Sequence, residues 1–417
     1  MSFKFDFDID DIDEELDSTL QIAGSQPSEA KDEAHPTIPS QEHSIEQFLD
    51  ALPTLISYSP ISISIPQTEG PPTTVNLVRR DLFDARFQLI ADGTVDPDAG
   101  LSSIEEEDEG AAEDGDGEKN KSNMDPKILE YLDAPSDLLP GVYEGGLKTW
   151  ECSLDLVEYL ESKQPFSSYG GKRVIELGCG TAIPSLYVLF QALSEESTDR
   201  ETHIHLQDYN ASVLELVTFP NVLLTWCTSP LFSPQINQIL SPVEPTDQSP
   251  ASSSYASHPD AELIDPTGAG ELSITPELKS AFLASLKEHN IHLRFFSGAW
   301  ESFDLSKSGS GGEYNLILTS ETIYRQESLG SLLHLLDEGS APGGDLNALI
   351  RDEGIRKTES GYLCLVAAKV LYFGVGGGIS DFIETVQSRK PGRSGTVSTV
   401  LEKTAGIGRK VLRVEWC

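Results

Sequence analysis

Arg173 to Leu189 reads RVIELGCGTAIPSLYVL, and the reading of this stretch decides the fold. Val174, Ile175 and Leu177 form an apolar, partly β-branched run, the composition of a strand buried in a parallel sheet. Gly178, Cys179 and Gly180 follow at once, and an apolar helical run opens near Ile183 and Pro184, where a first-turn proline is tolerated. Strand, glycine turn and helix start make a unit that cradles a nucleotide. The glycines let backbone approach a ligand, and the helix start offers free N–H groups. The turn reads G-C-G-T-A and not G-x-G-x-x-G, so a pyrophosphate fits it poorly. Glu176 ahead of a G-x-G turn suits instead a ligand with a cationic amino-acid end, such as S-adenosylmethionine. An ordinary strand-to-helix turn carries the same letters, so the rest of the chain has to discriminate.

Downstream, His203 to Leu206 reads as a second strand that ends at Gln207, Asp208 and Tyr209. An acidic residue after the second strand is where a Rossmann-like fold grips a ribose. Val213 to Val217 and Asn221 to Cys227 continue as helix, and Pro276 to Glu288 is another. Ile291 to Phe296 is a strand followed by Gly298, Ala299 and Trp300, and Tyr314 to Thr319 (YNLILT) is a buried strand running into Ser320, Glu321 and Tyr324. Helices at Leu329 to Leu336 and Ile379 to Val386 flank a strand at Tyr362 to Lys369 and a glycine-rich loop, LYFGVGGG, at Leu371 to Gly378. Thr396 to Glu402 and Gly408 to Trp416 close the pattern. Upstream, Ser153 to Leu160 is an amphipathic helix with Leu154, Val157 and Leu160 on one face. This alternation predicts an α/β fold, a parallel sheet with helices on both faces.

The flanks differ in character. Residues 1–124 form an acidic, partly disordered N-terminal region, with alternating Phe3, Phe5 and Phe7 at its start and a dense acidic run from Leu101 to Asn123. Within it, Ser57 to Pro66 and Thr73 to Val78 look like short strands, and Arg79 to Ile90 fits helix or strand. Residues 125–417 form the main domain, interrupted at about 228–275 by a Ser- and Pro-rich stretch read as a disordered insertion. The chain has 417 residues, 68 Asp and Glu against 29 Lys and Arg, and a net charge of −39, which disfavours nucleic acid binding and favours a basic partner. Five cysteines without paired spacing argue against a disulfide framework and against a metal site. The acidic start is unlike a secretory signal, and no apolar run is long enough to span a membrane.

The segments GVYEGGLKTWECSLDL, VIELGCGTAIPSL, LQDYN, VTFPNV, FFSGAW, LILTSETIY and YFGVGGG occur in that order. As an ordered set they closely resemble the histidine protein methyltransferases, a branch of the seven-strand, class I, S-adenosylmethionine-dependent methyltransferases. The resemblance covers Asp137 to the C-terminus apart from the insertion. It implies a Rossmann-like seven-strand fold, S-adenosylmethionine as cofactor, and methylation of a histidine side chain. It also implies a large-subunit ribosomal protein as partner, a role in ribosome assembly or translation, and location in cytoplasm and nucleus. A monomer is expected. A lysine methyltransferase of the same branch and a non-catalytic binding protein that keeps the fold remain open as alternatives.

Residue by residue, Gly178 and Gly180 would admit the methionine portion of the cofactor, and Glu176 would accept from its amino group. Asp208 is the ribose candidate, since a carboxylate can accept both hydroxyl protons. Gln207 and Tyr209 flank it, and Gly298, Ala299 and Trp300 follow the third strand, where adenine lies. Thr149, Trp150, Glu151, Cys152 and Ser153 are carried over from the family as cofactor-binding, together with Ser320. Glu321 and Tyr324, at the carboxyl end of the fourth strand, are the catalytic candidates. Tyr372, Phe373, Gly374 and Gly376 would line the substrate mouth.

Overall fold

The structure is a computed structural model that describes residues 38–91, 145–195, 199–232, 236, 239, 264–308, 313–340, 361–372, 377–389 and 393–416, all within one unit, Thr37–Cys417. In chain order, β1 (Gln41–His43), α1 (Ile45–Ala51), β2 (Leu55–Ile65), β3 (Thr73–Arg80) and α2 (Leu82–Ala91) come first. Then follow α3 (Glu151–Lys163), β4 (Arg173–Leu177), α4 (Ile183–Ser194), β5 (Thr202–Asp208) and the helical run α5 (Ala211–Thr228). After these come β6 (Gly270–Ser273), α6 (Pro276–Glu288), β7 (Ile291–Ser297) and β8 (Leu316–Ser320). The chain closes with α7 (Gln326–Gly339), β9 (Leu363–Lys369), α8 (Ile379–Ser388), β10 (Gly395–Lys403) and β11 (Arg409–Trp416).

Strand β4 carries apolar residues on both of its faces because both are covered. Val174 joins the apolar cluster that includes Leu156, Leu186 and Phe282 of α3, α4 and α6, whereas Ile175 and Leu177 join the cluster of Leu332 and Phe382 from α7 and α8. Period-two alternation therefore sends Glu176 to the same face as Val174, toward α4. The main sheet has the order β1-β7-β5-β4-β8-β9-β11-β10. β7, β5, β4, β8 and β9 pair in parallel. β11 is inserted antiparallel between β9 and β10, and β1 lies antiparallel along β7. The seven strands expected after Arg173 are thus present in one sheet, and residues from the N-terminal region add an eighth at its edge.

Residues 38–91 are built into the domain. β2 pairs antiparallel with β3 and with β6, giving a three-stranded second sheet. Pro60 is tolerated in β2 because β6 pairs only with Leu55–Tyr58, which leaves that side of β2 open beyond Tyr58. Arg80 ends β3 fully buried and donates to Asp84, to Gln88 and to the Leu216 carbonyl. The ambiguous stretch from Arg79 to Ile90 thus ends a strand and begins a helix. Strand β6 falls inside the stretch read as an insertion, whose last residues therefore pair with β2. Phe3, Phe5 and Phe7 lie outside the described residues.

One apolar run is long enough to span a membrane, contrary to the expectation from the sequence. α5 reaches the length and hydropathy of a membrane span, although 78% of that window is buried inside the domain. Every residue from Phe219 to Thr228 is buried, and Phe219 and Trp226 contact Phe282 of α6 edge to face. A largely apolar helix is also what a core position demands.

Candidate active site

β4 and β8 are neighbours in the sheet, yet the chain leaves them in opposite directions, through α4 to β5 and through α7 to β9. Such a switch point opens a crevice at the carboxyl ends of the strands. Two turns meet there: Gly178–Ala182 after β4 and Ser320–Tyr324 after β8.

The first turn is a backbone device. Gly178 and Gly180 have φ of +63° and +50°, and Ala182 at +59° forms the N-cap of α4. A Cβ on Gly178 would lie 2.7 Å from Thr322 Cγ2 and 3.6 Å from Trp300 Cζ2. A Cβ on Gly180 would lie 3.1 Å from the Gly146 carbonyl oxygen, so the Gly145–Trp150 segment packs over the turn. Thr149 Oγ1 lies 3.0 Å from Thr181 Oγ1 and donates to it, and Asn210 Nδ2 donates to the Gly145 carbonyl at 3.0 Å. Thr218 Oγ1 donates to the Gly180 carbonyl at 2.6 Å. It comes from a π-helical segment of α5, Leu214–Thr218, the kind of irregularity found at functional sites.

Glu176 is fully buried and caps α4: its Oε2 accepts the Ser185 N–H at 3.0 Å, while Oε1 has no hydrogen-bond partner. Burial pushes its carboxyl up to about 8, against the opposing pull of Ser185. Gln207 ties three elements together. Its Oε1 accepts from Gly178 N–H (3.3 Å) and Trp300 Nε1–H (2.7 Å), and its Nε2 donates to the Gly298 carbonyl (2.8 Å). Asp208 Oδ2 accepts from Gly180 N–H (2.9 Å) and Oδ1 from Asn210 N–H (3.1 Å). The Tyr209 carbonyl accepts from Gly298 N–H at 3.1 Å, and Ala299 N–H donates to the Ile38 carbonyl at 2.9 Å. Gly298, at φ +101°, has the Pro39 carbonyl where a Cβ would sit. The segment before β1 therefore seats the turn that carries Trp300.

The second turn is a side-chain device. Glu321 follows β8 with φ +58°, a conformation that costs a residue with a Cβ roughly 1–2 kcal/mol. Its N–H donates to the Ala367 carbonyl of β9 at 2.9 Å. Its Oε2 accepts from the Tyr372 hydroxyl at 2.7 Å, and its Oε1 lies 3.7 Å from Lys369 Nζ. That ammonium sits 4.5 Å from the centroid of the Trp150 ring. Burial, then Glu321, pushes the Tyr372 phenol well above its usual value, so it stays a donor. The Cys152 thiol, also buried near Glu321, is pushed up for the same two reasons. Tyr324 lies 6.2 Å from the Tyr372 ring, centroid to centroid. Trp150 is aimed by α3, which Asp155 and Glu158 fasten to Arg409 and Lys403 at 2.7 Å each. Ser153 Oγ donates to the Trp150 carbonyl, while Glu151 is exposed on the first turn of α3. Ser320 is half-buried at the end of β8.

The residues singled out in the sequence thus gather around one crevice in two groups. Glu176, Gly178, Gly180, Gln207, Asp208, Gly298 and Trp300 share the first, and Trp150, Cys152, Glu321, Tyr324 and Tyr372 the second. Thr149 bridges them. Phe373, Gly374 and Gly376 lie outside the described residues. Sequence reasoning missed Lys369, Thr322, Thr181 and Asn210. Only Lys369 carries a signal, a charged residue closing an otherwise buried apolar strand. Among the described residues no group of three or more His, Cys, Asp or Glu is placed to hold a metal ion.

No family model matches the chain. It is 30% identical over 348 residues to Histidine protein methyltransferase 1 of Saccharomyces cerevisiae, across 82% of this chain and 77% of that protein. It is 30% identical over 368 residues to the Schizosaccharomyces pombe protein of the same name, across 87% and 83%. Among solved structures, the rRNA methyltransferase aviRa of Streptomyces viridochromogenes is 12% identical over 70% of this chain and 94% of that one, with a TM-score of 0.32. Magnesium protoporphyrin IX methyltransferase of Synechocystis PCC 6803 with bound SAM is 9% identical over 72% and 86%, with a TM-score of 0.28.

Proposed function

The chain belongs to the histidine protein methyltransferase family, and from that premise we propose that its acceptor is a histidine in a basic protein, a large-subunit ribosomal protein, with a role in ribosome assembly or translation. The net charge of −39 supports a basic partner, because opposite charge steers encounter.

S-adenosylmethionine, when bound, supplies an electrophilic methyl group on a sulfonium. The residues of the first turn suit it. Glu176 Oε1 is a buried acceptor without a partner, and an α-ammonium placed beside it would favour its ionised form. Asp208, held by the Gly180 and Asn210 N–H groups at the end of β5, is a carboxylate of the kind that accepts ribose hydroxyls. Trp300, pinned by Gln207 beside Gly178, offers a flat face to adenine.

The observation that carries the histidine reading is the hydrogen-bonded Glu321–Tyr372 pair beside that cradle. Neutral imidazole already has a lone pair, so it needs positioning more than a strong base. An acceptor that holds the N–H of one ring nitrogen fixes the tautomer and leaves the other nitrogen as nucleophile. Glu321 supplies such an acceptor, and Tyr372 orients it. The ring nitrogen has to stand roughly 3–3.5 Å from the methyl carbon and in line with the breaking bond.

Incubating the full chain with salt-stripped large-subunit ribosomal proteins and methyl-labelled S-adenosylmethionine tests this. The expected product is methylhistidine at one position of a basic protein, located by peptide mass spectrometry. Methyllysine, or label found only in ribosomal RNA, would overturn the reading.

A further inference from the structure

Lys369 closes β9, a strand otherwise apolar and buried. Its side chain is 16% exposed, with Nζ 3.7 Å from Glu321 Oε1 and 4.5 Å from the Trp150 ring centroid. Tyr372 completes the enclosure, since its hydroxyl donates to Glu321 and accepts from the Lys369 N–H at 3.3 Å. A carboxylate beside an aromatic face is a receptor for an organic cation. This one adjoins the cofactor turn on two sides. Thr149, next to Trp150, bonds Thr181, and Thr322, next to Glu321, covers Gly178. The chain therefore builds a cation receptor at the acceptor mouth and fills it with its own ammonium.

We propose that Lys369 is a specificity-determining residue. Its ammonium occupies the Trp150–Glu321–Tyr372 box, excludes a cationic acceptor such as a lysine side chain, and leaves the mouth to a neutral ring. The inference rests on the histidine reading above and extends it to how the competing acceptor is refused. A lysine ammonium entering the box has to displace a like charge, whereas a neutral imidazole meets no such repulsion. The chemistry points the same way. With imidazole, the lone pair of one ring nitrogen forms the N–C bond as the S–C bond breaks. The sulfonium departs as a neutral thioether, and the proton on the other ring nitrogen passes to solvent. An ammonium has no lone pair until it loses a proton, whereas a neutral imidazole presents one at once.

The test compares the full-length wild type with Lys369→Met and Lys369→Arg. Titration with n-butylammonium and with imidazole is followed by saturation-transfer NMR at about pH 8.5, where the first probe is charged and the second neutral. Lys369→Met is expected to gain roughly tenfold in butylammonium affinity while imidazole changes less than about threefold, and Lys369→Arg is expected to behave as wild type. Should the Met protein melt early, Lys369→Gln takes its place. No gain in the charge-removing variant, or an equal gain in Lys369→Arg, overturns the proposal. In a second arm, ribosomal-protein hydrolysates are read for both methylated residues. Wild type is expected to yield methylhistidine only, and Lys369→Met to add methyllysine. Methylhistidine from both proteins with no methyllysine from the variant counts against Lys369. Absence of methylhistidine from wild type removes the ribosomal reading, while the butylammonium titration still decides the role of Lys369.

Discussion

The turns after β4 and after β8 are neighbours built on opposite principles. The first holds its shape through backbone: left-handed glycines, peptide N–H groups on Gln207 and Asp208, and a carboxylate, Glu176, that caps the next helix. The second holds its shape through side chains drawn from three separate segments, with Trp150, Glu321 and the Lys369–Tyr372 pair meeting in space. A cradle made of backbone recognises a ligand whose shape is fixed, as a cofactor's is. A box made of side chains can be retuned one residue at a time, which suits the part of a site that chooses among acceptors. If that division is real, substitutions in the first turn act on stability and cofactor affinity, and those in the second act on turnover and choice of acceptor.

The largest expected effect is on the pH dependence of folding through Glu176. Its carboxyl is near its ordinary value of 4.5 when unfolded and is raised to about 8 in the fold. Below the lower value both states are protonated and the raised value carries no penalty. As pH climbs from there, the unfolded chain ionises and the fold does not, so stability falls until the pH reaches the folded value. The ceiling on that loss is roughly 5 kcal/mol. Glu176→Gln lacks this term, so its urea midpoint, compared with wild type at about pH 5 and pH 8, is expected to fall less on the alkaline side. Saturating S-adenosylmethionine should shrink the wild-type loss, because an ammonium beside Glu176 favours the ionised form. Parallel pH profiles for the two proteins without cofactor would show that burial of Glu176 does not set the slope.

Next in size is Gly178→Ala. The left-handed backbone costs about 1–2 kcal/mol, and the Cβ 2.7 Å from Thr322 Cγ2 adds about 1–3 kcal/mol of overpacking. Melting and calorimetric binding of S-adenosylmethionine should both suffer, the affinity by about tenfold or more. Adding Thr322→Ser removes the offending methyl and should recover the packing share but not the backbone share. Full recovery would mean that φ at Gly178 does not matter, and the backbone account of this turn would fail.

The same contrast explains what the sequence made legible. The Arg173–Leu189 turn, Asp208 after β5 and Trp300 after β7 are each encoded within a few residues, because strand, glycine and helix start are local patterns. The β1 edge strand is three residues long, and β6 sits in a Ser- and Pro-rich stretch, so neither has a periodic signal and both exist only through their partners. Glu321 and Tyr372 stood out as residues near strand ends, but their hydrogen bond spans 51 positions. Lys369 read as a strand terminus and nothing more, since the Trp150 ring beside it comes from the N-cap of a helix more than two hundred residues earlier. Tertiary structure alone brings the acceptor box together.

Glu321→Gln tests that box at the smallest expected size. The substitution keeps volume but removes the charge that Tyr372 and Lys369 both address. A hydrogen bond to a charged group is worth about 1.5–3 kcal/mol, so turnover should fall by about ten- to a hundredfold while the calorimetric cofactor Kd stays within about threefold. The separation of these two readouts is the informative part. Thr322, the neighbour of Glu321, is the residue that covers Gly178. If cofactor affinity drops as far as turnover, the strained backbone at Glu321 is what holds Thr322 over Gly178, and the two turns act as one device. If only turnover drops, the carboxylate serves the acceptor alone, and the choice between histidine and lysine can be redrawn at Lys369 without disturbing the cradle.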